Sequence, residues 1–169
     1  MPTPPLTSEE LVSTLRKSSL PTVLVEGTSD ARIYRRIEEM LGKNIGDVLF
    51  CGCRNNLLEV FKRRNEVAHT TIVFLADRDM YMWLYQNIPA EFSEIVWTNG
   101  YCIENDAYSG SDVEKLLETA EHHLFQKLLD EVCEWFAFEI EEFLQGRPPF
   151  VAQGIGRILN DNRDGVIDK

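Results

Sequence analysis

Acidic side chains follow two short apolar runs of the chain, at the point where each run ends. Glu26 comes directly after Val23–Val25, and Asp77 and Asp79 come after Ile72–Ala76. Runs of this length, rich in β-branched residues, are typical of buried strands in a parallel sheet. Because ligands gather at the carboxyl ends of such strands, we expect the three carboxylates to converge at one edge of one sheet.

Three carboxylates held together repel one another unless a cation lies among them. Oxygen ligands with no His or Cys beside them suit Mg²⁺ or Mn²⁺. The pattern therefore predicts a divalent-metal site for phosphoryl chemistry. Asp30, four residues after Glu26 across a turn, is expected at the same edge. In extended backbone, Asp77 and Asp79 would point the same way.

A purely structural interpretation of the same carboxylates is also open. In it, Glu26 and Asp30 belong to a turn or cap a helix, and Asp79 forms an ion pair with Arg78 or Arg54. We consider this interpretation weaker for the whole set of four carboxylates, because a turn or a cap accounts for them only one at a time.

Apolar periodicity predicts an alternation of helices and strands. Predicted helices cover Ser8 to Ser18 (capped by Ser8), about Asp30 to Leu41 (capped by Ser29, closed by Gly42), the segment with Leu57, Leu58 and Phe61, Asp112 to about Leu144 (broken near Glu121 to His123), and a short stretch with Ile155, Ile158 and Leu159. Predicted strands cover Thr22–Val25, Asp47–Cys51, Thr70–Ala76 and Ile95–Thr98. This order predicts an α/β domain over residues 1–110, with a mainly parallel sheet flanked by helices, and an acidic, mainly helical segment over 111–169.

The net charge of −11 is unevenly distributed along the 169 residues, and residues 101–169 carry −9 of it. An acidic chain has no long-range attraction for nucleic acid, so the segment from Asp112 to Glu142 is expected to bind a basic protein partner. Basic residues in the first hundred positions form a candidate local rim: Arg32, Arg35, Arg36, Arg54, Lys62, Arg63 and Arg64. Four irregularly spaced cysteines and the lack of a membrane-spanning or signal-like apolar stretch predict a cytoplasmic protein.

Four motifs together resemble the Toprim domain of primases, topoisomerases and the OLD-type nucleases. Glu-Gly after one apolar strand and Asp-x-Asp after another are its signature, here Glu26–Asp30 and Asp77–Asp79. Cys51–Asn56 resembles the glycine-rich turn with a basic residue after the second strand. Tyr101–Asn105 is similar to an element of Toprim-like effectors encoded beside an ABC-type ATPase in bacterial anti-phage systems.

The resemblance covers about residues 20–110 and implies a Toprim-like fold and a nuclease that uses Mg²⁺ or Mn²⁺. It further implies tRNA as the nucleic acid substrate, inhibition by an ABC-type ATPase partner, a homodimer in the active state and a longer carboxy-terminal portion. The matched positions imply these metal ligands: Glu26, Asp30, Asp77, Asp79 and Glu104.

Two matched residues have catalytic roles in this interpretation, Glu26 in positioning or deprotonating water and Arg54 in stabilising charge at phosphorus. Arg54 is also a candidate for substrate binding, together with Lys62, Arg63 and Arg64. Arg54 departs from the family pattern, where lysine is expected, and arginine binds phosphate well but does not readily donate a proton.

Other classes of protein remain alternatives to the RNA nuclease. The first is a DNA nuclease of the OLD type. The second is a phosphatase similar to the haloacid dehalogenases, although that family places Asp-x-Asp on its first strand and follows it with Thr or Val rather than Met80. The third is a non-catalytic interaction module that docks through its acidic helices.

Overall fold

The chain consists of two compact units, Met1–Ala107 and Tyr108–Lys169. A computed structural model describes residues 5–28, 30–42, 45–83 and 88–147. The first unit contains a sheet with strands β1 (Thr22–Val25), β2 (Asp47–Phe50), β3 (Ile72–Ala76) and β4 (Val96–Trp97). Neighbouring strands are parallel, in the order β2-β1-β3-β4.

Helices connect these strands and follow them. They are α1 (Ser8–Lys17), α2 (Ala31–Leu41), α3 (Arg54–Lys62), α4 (Ile103–Ser109) and α5 (Thr119–Leu144), with 3₁₀ turns at Arg64–Val67, Asp79–Met82, Ala90–Phe92 and Val113–Leu116. The predicted α/β class, with a parallel sheet flanked by helices and a helical carboxy-terminal part, is therefore confirmed.

An apolar cluster lies on each face of the sheet, because the side chains of successive strand residues point to opposite sides. Leu24 and Phe74 pack with α1 and α3 on one side, around Phe61, whose ring meets that of Phe74 edge-on at 5.0 Å. Val25 and Val48 pack on the other side with Tyr34 of α2. Burial on both faces explains why the strands are mainly apolar, with polar residues only where β1 and β2 begin, at Thr22 and Asp47.

The strand order places a topological switch point between β1 and β3. From β1 the chain crosses to β2 on one side, and β3 then pairs with β1 on the other side. Val25 is in register with Leu75, so the carboxyl ends of β1 and β3 are adjacent. In sheets of this kind, the crevice at such a point is where ligands bind.

Several predicted element boundaries are wrong in detail. Helix α1 is capped by Thr7, which forms a reciprocal capping box with Glu10, and not by Ser8. Its apolar face and its acidic first turn are as predicted. Gly42 closes α2 with φ of 90°, as predicted, whereas the proposed cap Ser29 lies outside the described residues.

In the second unit, α5 is continuous through the predicted break. It runs unbroken for 26 residues, from Thr119 to Leu144. Glu118 and Glu121 form a capping box that determines where it begins. The interruption therefore lies before Thr119, after the 3₁₀ turn Val113–Leu116. The predicted short helix with Ile155, Ile158 and Leu159 lies outside the described residues. Across the described part of the chain, no helix is long and apolar enough to span a bilayer.

Candidate functional site

Carboxylates from two neighbouring strands meet at the switch point. Glu26 follows β1 and Asp77 follows β3, and Oε1 of Glu26 accepts a hydrogen bond from the backbone N–H of Asp77 at 3.1 Å. The Glu26 side chain therefore lies across the ends of both strands. The structure brings Glu26 to the Asp77/Asp79 pair, as the strand-end pattern predicted.

The guanidinium of Arg54 lies among these carboxylates. Arg54 is the first residue of α3, which starts at the same edge of the sheet. Its Nε donates to Glu26 Oε1 at 3.0 Å, and its Nη2 contacts Asp79 Oδ2 at 2.8 Å and donates to the carbonyl oxygen of Asp77. The structure thus shows the Asp79–Arg54 ion pair that the structural alternative named.

Aromatic rings also surround this guanidinium. The Arg54 Cζ atom lies 5.7 Å from the ring centroids of both Tyr81 and Trp97. The two rings meet edge-on with centroids 5.8 Å apart. Cation–π attraction on this side and ion pairs on the other fix the position of Arg54.

The Asp77-Arg78-Asp79 segment is not extended, so the prediction that both carboxylates point the same way from a strand is wrong. After β3 the chain turns into the 3₁₀ segment Asp79–Met82, and Asp79 has a left-handed φ of 46°. Aspartate tolerates this region better than most residues. The Asp79 N–H donates to the Tyr101 carbonyl at 2.8 Å, while Asp77 Oδ1 accepts from the Ile103 N–H at 3.1 Å.

The cluster retains excess negative charge despite Arg54. Burial, together with the charges of Glu26, Asp79 and Asp30, raises the pKa of Asp77 to about 7. Burial also raises the pKa of Glu26, although Arg54 acts in the opposite direction. A single guanidinium therefore does not balance these carboxylates, and a further cation would be stabilised here.

Asp30 and Glu104 extend the cluster. Asp30 is 8% exposed at the N-cap of α2, and Glu104 lies in the first turn of α4. The pKa of Glu104 is lowered by hydrogen bonds from the Cys102 thiol and, more weakly, from Asp30. Two carboxyl groups this close require a shared proton or a cation.

Tyr34 lies beneath the cluster and was predicted only as part of an apolar helix face. It is 3% exposed. Burial is the largest cause of the raised pKa of its hydroxyl. Nearby negative charges also raise this pKa, in the order Asp77, Asp30, Glu26 and Glu104. The apolar spacing of α2 predicted that Tyr34 lies on the buried face of the helix, but it did not indicate which groups lie next to its hydroxyl.

A second residue that the sequence did not reveal is Asp106. Its carboxylate accepts from the backbone N–H groups of Asn99 at 2.9 Å and Gly100 at 2.6 Å. A Cβ atom on Gly100 would lie 2.5 Å from that of Asn105, so only glycine fits there. These contacts shape the loop that presents the Tyr101 carbonyl to Asp79.

The glycine-rich turn after β2 also requires its glycine. Gly52 has φ of 84°, and a Cβ there would lie 2.4 Å from the Cβ of Pro5. Cys51 is buried and Cys53 exposed, and both are free thiols. The turn places Arg54 at the edge of the sheet.

The other predicted substrate-binding residues lie away from the cluster. Helix α3 leads back from this edge towards the start of β3, so Lys62, Arg63 and Arg64 are about 12–15 Å from Arg54 along the helix direction. Each is paired with a carboxylate: Lys62 with Glu59 at 3.2 Å, Arg63 with Glu9 and Glu66, and Arg64 with Glu94 at 3.1 Å. The structure does not bring these three cations to Glu26.

The cluster consists of carboxylate oxygens, which are the ligands that a hard dication prefers. However, the positions of these groups do not form a ready metal site: no group of three or more His, Cys, Asp or Glu side chains among the described residues is placed to hold a metal ion. The contacts of Glu26 and Asp79 with Arg54 account for this difference, because both carboxylates are directed at the guanidinium.

Comparison of the chain with protein-family models and with curated proteins finds no match. The similarity to Toprim nucleases therefore depends on the four motifs alone and stays a prediction.

Proposed function

We propose that the chain is a Toprim-like nuclease that depends on a divalent cation. The observation that supports this most directly is the meeting of Glu26, Asp77 and Asp79 at a topological switch point, with negative charge that Arg54 does not balance. An enzyme that cleaves phosphodiesters with metal ions needs such a concentration of oxygen ligands.

In this proposal Glu26, Asp77 and Asp79 would hold Mg²⁺ or Mn²⁺ after a change in the side-chain arrangement that the structure shows, and Asp30 and Glu104 are further carboxylates of the same cluster. The ion, when bound, supplies an activated water and stabilises the leaving oxygen.

We assign Glu26 as the general base, the residue that accepts a proton from the attacking water. Its two described hydrogen bonds, from Asp77 N–H and Arg54 Nε, both end on Oε1, so Oε2 is the atom that accepts the proton. Burial raises the pKa of Glu26, which moves it towards that of an effective general base at neutral pH.

Arg32 and Arg78 are better placed than Lys62, Arg63 and Arg64 to contact a substrate phosphate. Arg32 lies in the first turn of α2, and Arg78 lies between the two aspartates. Within the described ranges neither forms an ion pair. Arg78 Nη1 donates to the Asn99 carbonyl oxygen at 3.4 Å, and the buried Nε of Arg78 has no hydrogen-bond partner. A guanidinium without an ion pair does not have to leave a carboxylate in order to bind a phosphate.

The motifs resemble those of AriB, the nuclease effector of the PARIS anti-phage defence system. This similarity supports tRNA as the substrate, an AriA-like ATPase as the inhibitory partner, a homodimer as the active form and the cytoplasm as the location. The geometry of the cluster supports phosphodiester cleavage in general, and a DNA nuclease of the OLD type is the alternative within the same chemistry.

The test is incubation of the purified protein with total RNA and with plasmid DNA, with Mn²⁺ and with EDTA. We expect metal-dependent cleavage of RNA that Glu26→Gln and Asp77→Asn lower by about 100-fold or more. Glu94→Gln is the matched control, since this exposed carboxylate pairs with Arg64 outside the cluster. Cleavage that persists in EDTA or in Glu26→Gln would refute the assignment, and cleavage of plasmid DNA alone would favour the DNA nuclease.

The ion pairs of Arg54 favour a second candidate, a non-catalytic interaction module in which the cluster serves only to join α3 to the sheet. This candidate predicts that wild-type protein cleaves neither substrate, and that substitution of Arg54 changes stability alone.

A further inference from the structure

Arg54 connects parts of the chain that are distant in sequence. Its guanidinium contacts the side chain of Glu26, 28 residues earlier, and the backbone carbonyl of Asp77, 23 residues later, in addition to Asp79. The side chains of Arg54 and Glu26 are only 23% and 17% exposed. Ion pairs shielded from water in this way are screened less than surface pairs.

The carboxylates that Arg54 contacts are the ones that a metal ion would require. Oxygen Oε1 of Glu26 already accepts two hydrogen bonds, and Oδ2 of Asp79 faces the guanidinium at 2.8 Å. A dication placed between the same carboxylates would lie within a few ångströms of the guanidinium. Two like charges at that distance repel each other, and more strongly in a partly buried site than in water.

We propose that Arg54 competes with the divalent cation for Glu26 and Asp79 and thereby limits the affinity of the site for metal. The inference rests on the proposed function, because it assumes that these carboxylates bind metal. Metal binding then requires the guanidinium to leave both carboxylates. The rings of Tyr81 and Trp97 contact the guanidinium and stabilise the paired position.

The experiment is calorimetric titration of the full chain with Mn²⁺ at pH 8, where Asp77 is ionised. Four proteins are compared: wild type, Arg54→Gln, Tyr81→Leu and Arg36→Gln. We expect Arg54→Gln to bind Mn²⁺ about tenfold or more tightly than wild type, since a positive charge is removed beside the ion. Tyr81→Leu keeps every carboxylate and Arg54 itself. It should tighten Mn²⁺ binding by about twofold to fivefold, because it removes one cation–π contact that stabilises the guanidinium beside the carboxylates.

Arg36→Gln is the matched control. Arg36 is 74% exposed and pairs with Glu39 on the surface of α2, so its loss should leave Mn²⁺ affinity unchanged. Equal affinity in all four proteins, or weaker binding in Arg54→Gln, would overturn the competition while leaving the metal site intact. Failure of all four to bind Mn²⁺ would refute the proposed function and the competition together. Should Arg54→Gln fail to fold, the comparison of Tyr81→Leu with wild type decides.

Discussion

At the scale of single residues, burial and charge act on Asp77 in the same direction. Burial first, and then the charges of Glu26, Asp79 and Asp30, raise its pKa from 3.8 to about 7. Among the described residues, the hydrogen bond from the Ile103 N–H at 3.1 Å acts in the opposite direction. Asp77 is therefore a residue whose ionised form opposes folding, as is common at functional sites.

Asp77→Asn tests this conclusion through the pH dependence of stability. Because the folded chain binds the Asp77 proton more tightly than the unfolded chain, stability falls as pH rises from about 4 to about 7 and changes little above that. Half-exposure of Asp77 reduces the effect, and we expect a loss of roughly 1–2 kcal/mol from this residue. The asparagine variant should lose less stability than wild type between pH 5.5 and pH 8.

The measurement is urea unfolding of both proteins in EDTA at these two pH values. Glu39→Gln, which removes a carboxylate from the exposed surface of α2, serves as control and should follow wild type. Parallel pH profiles for wild type and Asp77→Asn would show that the Asp77 charge does not oppose folding.

The sequence predicted which carboxylates meet but not what lies between them. Apolar runs of strand length, each ending in acid, are a local pattern, and a parallel sheet then determines that their ends are adjacent. The pairing of Arg54 with Glu26 and Asp79 depends on side-chain directions across 28 and 25 residues. No local pattern encodes such directions, so a metal ion was predicted where the structure shows a guanidinium.

At the scale of elements, the positions of the strands and longer helices follow from apolar periodicity. Strand β1 was predicted at its observed bounds, since Val23–Val25 form the apolar run that a strand covered on both faces needs. Helix α4 was not predicted, because seven residues with no buried side chain carry no periodic signal. Its position depends instead on tertiary contacts, such as the hydrogen bond from Ile103 to Asp77.

The loop between β4 and α4 determines the conformation of Asp79. Asp106 holds Asn99 and Gly100, and the Tyr101 carbonyl that follows accepts the Asp79 N–H. The left-handed φ of Asp79 is an unusual conformation that needs such external support. The loop thus fixes the backbone of Asp79 through hydrogen bonds, and for this its own carboxylate does not need to bind metal.

Asp106→Ala should loosen this loop. We expect the free energy of unfolding to fall by about 1–3 kcal/mol, because the exposed N–H of Asn99 and the partly buried N–H of Gly100 lose a charged acceptor. Mn²⁺ affinity should also fall, since Asp79 loses part of its support. Urea unfolding and calorimetric titration measure the two effects.

Asp112→Ala is the control. It removes an exposed carboxylate that pairs with Lys115, and it should change neither the free energy of unfolding nor Mn²⁺ affinity. If Asp106→Ala lowers stability but leaves Mn²⁺ affinity intact, the loop stabilises the fold without positioning Asp79.

At the scale of the whole molecule, the two units differ in core and in charge. The buried clusters of apolar residues that the structure describes belong to the first unit, around Phe61 on one face of the sheet and Tyr34 on the other. Residues 108–169 hold 13 acidic and 6 basic side chains, which is −7 of the net charge of −11. The first unit is therefore organised around a core and the cluster, whereas the second is distinguished by its acidic side chains.

Helix α5 presents part of this acidic surface as a stripe. Asp130, Glu134 and Glu141 are exposed, and their spacing of four and seven residues places them within about 40° around the helix axis. Phe138, which is 58% exposed, lies about 80° from Asp130. Acidic side chains beside an exposed aromatic ring are suited to a basic protein surface, such as the partner that the family resemblance implies.

Reversal of charge on this stripe tests its role in partner binding. We expect Glu134→Lys combined with Glu141→Lys to lower affinity for the proposed ABC-type ATPase partner by about tenfold or more at low salt, because each substitution replaces attraction by repulsion. The difference should shrink as salt shortens the range of these interactions. Glu39→Lys with Glu91→Lys is the matched control, since it changes the net charge equally at exposed positions of the first unit. Co-purification and calorimetry at two salt concentrations measure the effect, and equal affinity of the two double variants would exclude the stripe as the binding surface.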